Sequence, residues 1–185
     1  VPNNMALVLS GDFNSEEILP IIEEKFGKWV KGEVPQQRTW DEKPFNGREF
    51  YQAKLTPIKV GLFGYRAPSS KDEKSLTTEI ITRLLNNSYS TGLLDRLSID
   101  GKVLMAQAMQ MPYQDYGAII MFTVPKIVGQ SLEKAEAIVM AEIDKLKKGE
   151  FDETMIEAIK QEMYRQHITS MENIQIGRAS CRERV

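Results

Sequence analysis

A continuous apolar run, Met5 to Leu9, ends in the turn residues Ser10, Gly11 and Asp12 and gives way at once to a helical pattern. Apolar residues without alternation mark a strand covered on both faces, so the run calls for neighbouring strands and a second layer. The helix after it has its signals in order. Asn14 stands at the N-cap with Glu17 three residues on, and Phe13 is placed to staple onto Ile18. Ile18, Leu19, Ile22 and Phe26 then share a face, and Gly27 is the stop. Val1 to Phe13 thus reads as the closing strand of a unit whose earlier part lies upstream.

Further along, Lys28 to Gly47 loses periodicity and collects Gly32, Pro35, Pro44 and Gly47, the composition of a boundary. Trp29 and Trp40 within it are expected to be packing anchors of a linker laid on the surface. Glu49 to Leu55 and Ile58 to Tyr65 read as adjacent strands around a turn at Thr56 and Pro57. Ser70 and Glu73 have capping-box spacing ahead of a helix with Leu76, Ile80, Ile81, Leu84 and Leu85 inward. A polar turn, Asn86 to Thr91, precedes a short helix from Gly92 to Ile99. Val103 to Met111 and Gly117 to Val124 are expected to be strands joined tightly through Pro112 to Tyr116. Ser131 opens a helix burying Leu132, Ala135, Val139, Ile143 and Leu146, and Gly149 closes it after Lys147 and Lys148. Phe151 and Asp152 start a last helix with Ile156, Ile159 and Met163 inward. Short strand-to-strand links favour antiparallel pairing, so the expected class is α+β, an antiparallel sheet packed with helices.

Composition excludes more than it selects. A net charge of −2 over 185 residues, with charged residues at 27%, gives no reason to expect a nucleic-acid partner. No apolar stretch reaches the roughly 20 residues of a membrane span. The single cysteine, Cys181, lies in Ile176 to Val185 (IGRASCRERV), which reads like the in-frame translation of a sequencing adapter and is set aside from fold reasoning.

The strand, turn and helix VPNNMALVLSGDFNSEEILPIIEEKFGKW resembles the segment of the insulinase/pitrilysin family of zinc metallopeptidases that closes one structural unit and leads into the next. The likeness continues through LLNNSYSTGLLDRLSIDGKV and the following strand pair, to about Asn173. The resemblance implies α+β units of antiparallel sheet and helices, arranged in pairs around an enclosed chamber where peptides are cut. On that basis residues 1–30 end a metal-bearing unit, 31–47 link, 48–175 form most of a C-terminal-type unit, and 176–185 are the adapter-like tail. Bacterial relatives point to the periplasm or cell envelope. The strand-helix start would then belong to an earlier copy of a similar unit.

The family's catalysis rests on H-x-x-E-H, two histidines binding zinc and a glutamate acting on its water, with a further glutamate ligand downstream. A catalytic zinc needs about three protein ligands and one open position. Only one histidine is present, His167 in Tyr-Arg-Gln-His-Ile-Thr, and an isolated imidazole reads as a surface or packing residue. Zinc is therefore expected in the parent protein and none in this stretch. Ser98, Asp100 and His167 make a poor triad without a nucleophile elbow, and Gly61 and Gly64 lack the spacing and lysine of a phosphate loop. The two glycines are expected to relieve crowding in a strand.

The resemblance implies a binding role instead. In the family, the unit after the catalytic one offers a sheet edge and adjoining turn that capture a peptide by strand addition, a mode that recognises main chain rather than sequence. The matching positions are Asn86, Asn87 and Gly92 in the turn, with Gly92 allowing close backbone approach, Met109 and Gln110 on the strand Ala106 to Met111, and Tyr113 and Tyr116 beside it. The partners implied are a peptide substrate and the other units of the same polypeptide or a partner subunit. The leading expectation is an internal part of a zinc peptidase, inactive alone, that supplies chamber wall and peptide binding. Alternatives are a non-catalytic scaffold of the same fold family and an unrelated α+β peptide-binding module.

Overall fold

Local chemistry fixes both ends of the helix α4, Leu132–Lys148. Ser131 Oγ accepts from Lys134 N at its start, and Gly149 ends it at φ +75°, a left-handed conformation that glycine adopts without a Cβ penalty. The final carbonyls are met by Gly149 N on Leu146 O (3.1 Å) and Glu150 N on Lys145 O (2.9 Å). A computed structural model describes residues 1–36, 43–54 and 57–171. It divides into two units, one of Gln52–Tyr164 and one of Val1–Tyr51 with Arg165–Val185, and each is considered by itself.

The Gln52–Tyr164 unit carries a three-stranded antiparallel sheet of β1 (Gly61–Ala67), β2 (Met105–Pro112) and β3 (Gly117–Val124), with β3 central. The register sets Phe63 opposite Met121 and Met121 opposite Ala108, so these three share a face. Onto that face pack α2 (Lys74–Leu85), α3 (Leu93–Ile99) and α4. The core is Phe63, Leu85, Leu93, Leu94, Leu97, Val103, Ala106, Met121, Ala135 and Val139. The other face bears Leu62, Met105 and Met109, all exposed, beside the half-buried Ile120 and Phe122. A last helix, α5 (Thr154–Met171), begins where Asp152 Oδ1 accepts from Thr154 N (3.0 Å) and Oγ1 (2.7 Å). Helices segregated to one face of an antiparallel sheet make the class α+β.

Several expectations are corrected. α2 begins at Lys74 rather than at Ser70, because Asp72 Oδ1 takes the Lys74 N–H (2.9 Å) and Glu73 supplies no side-chain cap. Leu76 is exposed, one turn before the helix meets the core. The strand expected over 58–65 is displaced to Gly61–Ala67, and no strand forms over 49–54 among the described residues; Leu55, Thr56 and Trp40 lie outside them. Gly61 does relieve crowding, since a Cβ there would meet Leu132 and Thr123 at 3.1 and 3.3 Å, but Gly64 faces open space.

In the other unit, α1 (Ser15–Phe26) is capped by Asn14, whose side chain accepts from Glu16 N at 3.0 Å. Trp29 sits edge-on to Phe26 with centroids 5.0 Å apart and is 47% exposed, so it is a surface contact rather than a buried anchor. Met5, Leu7 and Leu9 are exposed, and 5–9 joins no ladder among the described residues. Residue preference alone leaves a strand's hydrogen bonds unmade until a second strand is alongside.

Candidate functional site

The turn between α2 and α3 is built on two side chains. Asp95, at the third position of α3, accepts through Oδ2 from Asn87 N (3.0 Å) and Gly92 N (3.1 Å), and through Oδ1 from Asn86 Nδ2 (2.7 Å). Asn87 folds the turn from within: its Oδ1 accepts from Tyr89 N (3.1 Å) and Thr91 N (3.2 Å), and its Nδ2 donates to Arg83 O (3.2 Å). Ser90 takes the left-handed φ of +56° that this closure demands. Ser88 Oγ donates to the buried Glu162 of α5 at 2.8 Å, and Arg83 stands 3.9 Å from the same carboxylate. Such dense internal bonding makes the turn rigid.

Asn86 then joins the turn to the sheet. Its Oδ1 accepts from Ala108 N (2.7 Å) and its Nδ2 also donates to Ala106 O (3.3 Å), while Ser98 Oγ accepts from Ala106 N (3.2 Å). Gln110 Nε2 donates to the carbonyl and hydroxyl of Ser75, both at 3.2 Å, tying β2 to the start of α2. Met109 points to the opposite, open face and is 47% exposed. Tyr113 and Tyr116 are exposed on the β2–β3 turn, the former with its hydroxyl 4.0 Å from Met111 Sδ.

The expected site residues therefore fall into two groups. Asn86, Asn87 and Gly92 come together in the turn; Met109, Gln110, Tyr113 and Tyr116 lie further along β2 and its turn, Gln110 only about 7 Å past Ala108 on a strand that rises about 3.3 Å per residue. Gly92 does permit a close approach, but the backbone that approaches is the chain's own: a Cβ would run into Leu85 O and Asn86 N. Asp95 and Ser98 organise the region and were not foreseen in that role. The signal for Asp95 was its place three residues after Gly92, the capping-box position.

A second concavity of about 280 Å³ lies between α3, α4 and the turn into α5, floored by Leu97 and Phe151 and rimmed by Arg96, Lys102, Glu142 and Asp152. The Thr154 hydroxyl and amide hold the Asp152 carboxyl below its ordinary value. Likewise, hydrogen bonds from its own backbone and from Ser131 lower the exposed Glu133.

Among the described residues the donor set does not fit a catalytic zinc. His167 is exposed on α5, and among the described residues no three His, Cys, Asp or Glu side chains converge as metal ligands. Nor, among them, is any helix long and apolar enough to cross a membrane.

Comparison with known proteins bears on the fold and the family. A zinc protease PqqE of Helicobacter pylori (strain ATCC 700392 / 26695) is 24% identical over 188 residues, covering 93% of this chain and 40% of that protein. The crystal structure of a protease from Helicobacter pylori superposes with a TM-score of 0.76 at 19% identity, over 91% of this chain and 41% of that one. The chain thus spans about two fifths of the length of these relatives. Residues 1–163 match the family described as Peptidase M16 inactive domain, and the chain belongs to that family of insulinase-type metallopeptidases.

Proposed function

We propose that this chain is the non-hydrolytic part of a larger zinc peptidase, forming chamber wall and holding peptide while another unit carries the metal. The observation that carries this reading is the match of residues 1–163 to the inactive domain of the family. It is supported by a donor set that offers one histidine and by a relative named as a zinc protease. The partners are an extended peptide and the other units of the same polypeptide or a partner subunit. Gln110, Met109, Tyr113 and Tyr116 supply main-chain and side-chain contact, and the turn of Asn86, Asn87 and Gly92 shapes the other end of the edge. Zinc, where the whole protein holds it, would activate water for hydrolysis.

Two measurements test this. The purified chain, incubated with a fluorogenic peptide, is expected to give no hydrolysis that a chelator abolishes; chelator-sensitive cleavage would overturn the assignment. The gene upstream of Val1 is expected to encode H-x-x-E-H with a glutamate downstream, and a degenerate motif there would favour the scaffold reading instead.

A further inference from the structure

Successive residues of an edge strand turn their main-chain groups alternately toward the neighbouring strand and away from it. On β2 the outward set is identified by its partners. Ala106 N goes to Ser98 Oγ and Ala108 N to Asn86 Oδ1, so Ala106, Ala108, Gln110 and Pro112 present their N–H and C=O groups away from β3. Of these, Pro112 has no N–H to offer.

The Asn86 side chain does on this edge what a neighbouring strand would do. A strand alternates acceptor and donor, and the primary amide carries both. It accepts from Ala108 N at 2.7 Å and donates to Ala106 O at 3.3 Å. Asp95 fixes it there at 2.7 Å from Nδ2, and Asp95 is itself held by the amides of Asn87 and Gly92. The edge is thus divided. From Ala106 N to Ala108 N it is occupied by side chains of this protein; from Ala108 O through Gln110 it faces outward beyond their reach.

We infer that Asn86 is a built-in plug of the β2 edge, a side-chain surrogate for a strand that an extended peptide must displace to pair along the full length of β2. Asn86 limits peptide affinity instead of supplying it. This rests on the reading that β2 takes peptide by strand addition. A peptide meeting the plugged edge pairs only about Gln110, and one meeting an unplugged edge gains Ala106 O and Ala108 N as well, while Ala106 N stays with Ser98 Oγ.

The test uses the full 185-residue chain and its Asn86→Ala and Asn86→Gly variants. Hydrogen exchange of the Ala108 amide, followed by NMR, reads the plug; fluorescence anisotropy with a fluorescein-labelled Ala/Val/Ser decapeptide reads the consequence. Faster exchange at Ala108 is expected, with unchanged protection in β3, and peptide binding tighter by about tenfold, equivalent to about 1.4 kcal/mol. Weaker or unaltered binding on an opened edge would overturn the plug, weaker binding marking Asn86 as a peptide contact. If no form binds the peptide, the strand-addition reading fails. The exchange measurement then decides the plug alone, an unmoved Ala108 amide refuting it. Should the Asn86 variants not fold, the parent protein decides it: because its plugged edge pairs only about Gln110, a tetrapeptide of the same composition is expected to bind within about twofold of the decapeptide, and a clearly tighter decapeptide sinks the plug.

Discussion

At Gly92 the absence of a single carbon decides how the turn closes. A Cβ would collide with the Leu85 carbonyl and the Asn86 nitrogen, both backbone atoms with little room to yield. Gly92→Ala is therefore expected to destabilise the sheet-bearing unit by about 1–3 kcal/mol, the usual cost of overpacking, read as a lower urea midpoint. An unchanged midpoint would show that the turn relaxes. Asp152 gives a pH-dependent counterpart. Donation from Thr154 holds its carboxyl below the ordinary value in the folded state, so its contribution is complete above that value and fades as pH falls through the folded one. The difference in melting temperature between the protein and Asp152→Asn is expected to be largest at neutral pH and to shrink in acid. A constant difference would remove the carboxylate from the account. Both residues were visible in the sequence, Gly92 as a place for close approach and Asp152 as a cap. Which atoms approach Gly92 was not visible, nor was the bond from Asn86 to Ala108, because each depends on main chain brought in by tertiary folding.

Among the elements, legibility follows how local the determining interactions are. The span of α4 was fully readable because Ser131 and Gly149 close its ends within the segment itself. Helix α2 was readable as a helix but not in its inward face. Periodicity placed Leu76 with Leu84 and Leu85, although the first turn extends past the layer it packs on and leaves Leu76 59% exposed against 3% for Leu85. Thermal or urea unfolding separates the two: Leu85→Ala is expected to cost about 2–5 kcal/mol and Leu76→Ala to stay within about 0.5 kcal/mol of the parent. Equal losses would mean that the stripe is buried as its period suggests. The strand β3 was readable to the residue, with Gly117 and Val124 as its ends, whereas Met5 to Leu9 had an equally good composition and formed no ladder among the described residues. Strand pairing is a property of two segments, and only one of them is ever inside the window being read.

On the scale of the whole chain, burial is confined to one of the two units. Every buried residue among those described lies between Gly61 and Glu162, and the described residues of the Val1–Tyr51 and Arg165–Val185 unit are all partly or fully exposed, including Leu7, Phe13, Leu19 and Phe26. A segment that buries little apolar surface gains little against the backbone entropy of ordering it, roughly 1–2 kcal/mol per residue. Helix α1 has a good cap and 12 residues, which is marginal for a helix that must stand on its own hydrogen bonds. The amides of α1 are therefore expected to exchange with solvent through local opening, at free energies near zero, while those of β3 exchange only with global unfolding of the sheet. Trimming residues 1–51 is expected to leave the cooperative transition of the remaining chain in place, with a midpoint shifted by less than about 0.5 kcal/mol, the scale of changes outside a core. Loss of that transition on trimming, or α1 amides as protected as those of β3, would show that the exposed apolar side chains of the first unit are held by interactions the burial pattern does not reveal. The same experiment bears on function. A sheet unit that unfolds cooperatively without the first unit would carry the Asn86 edge on its own framework, so the proposed peptide-gripping role would be measurable there.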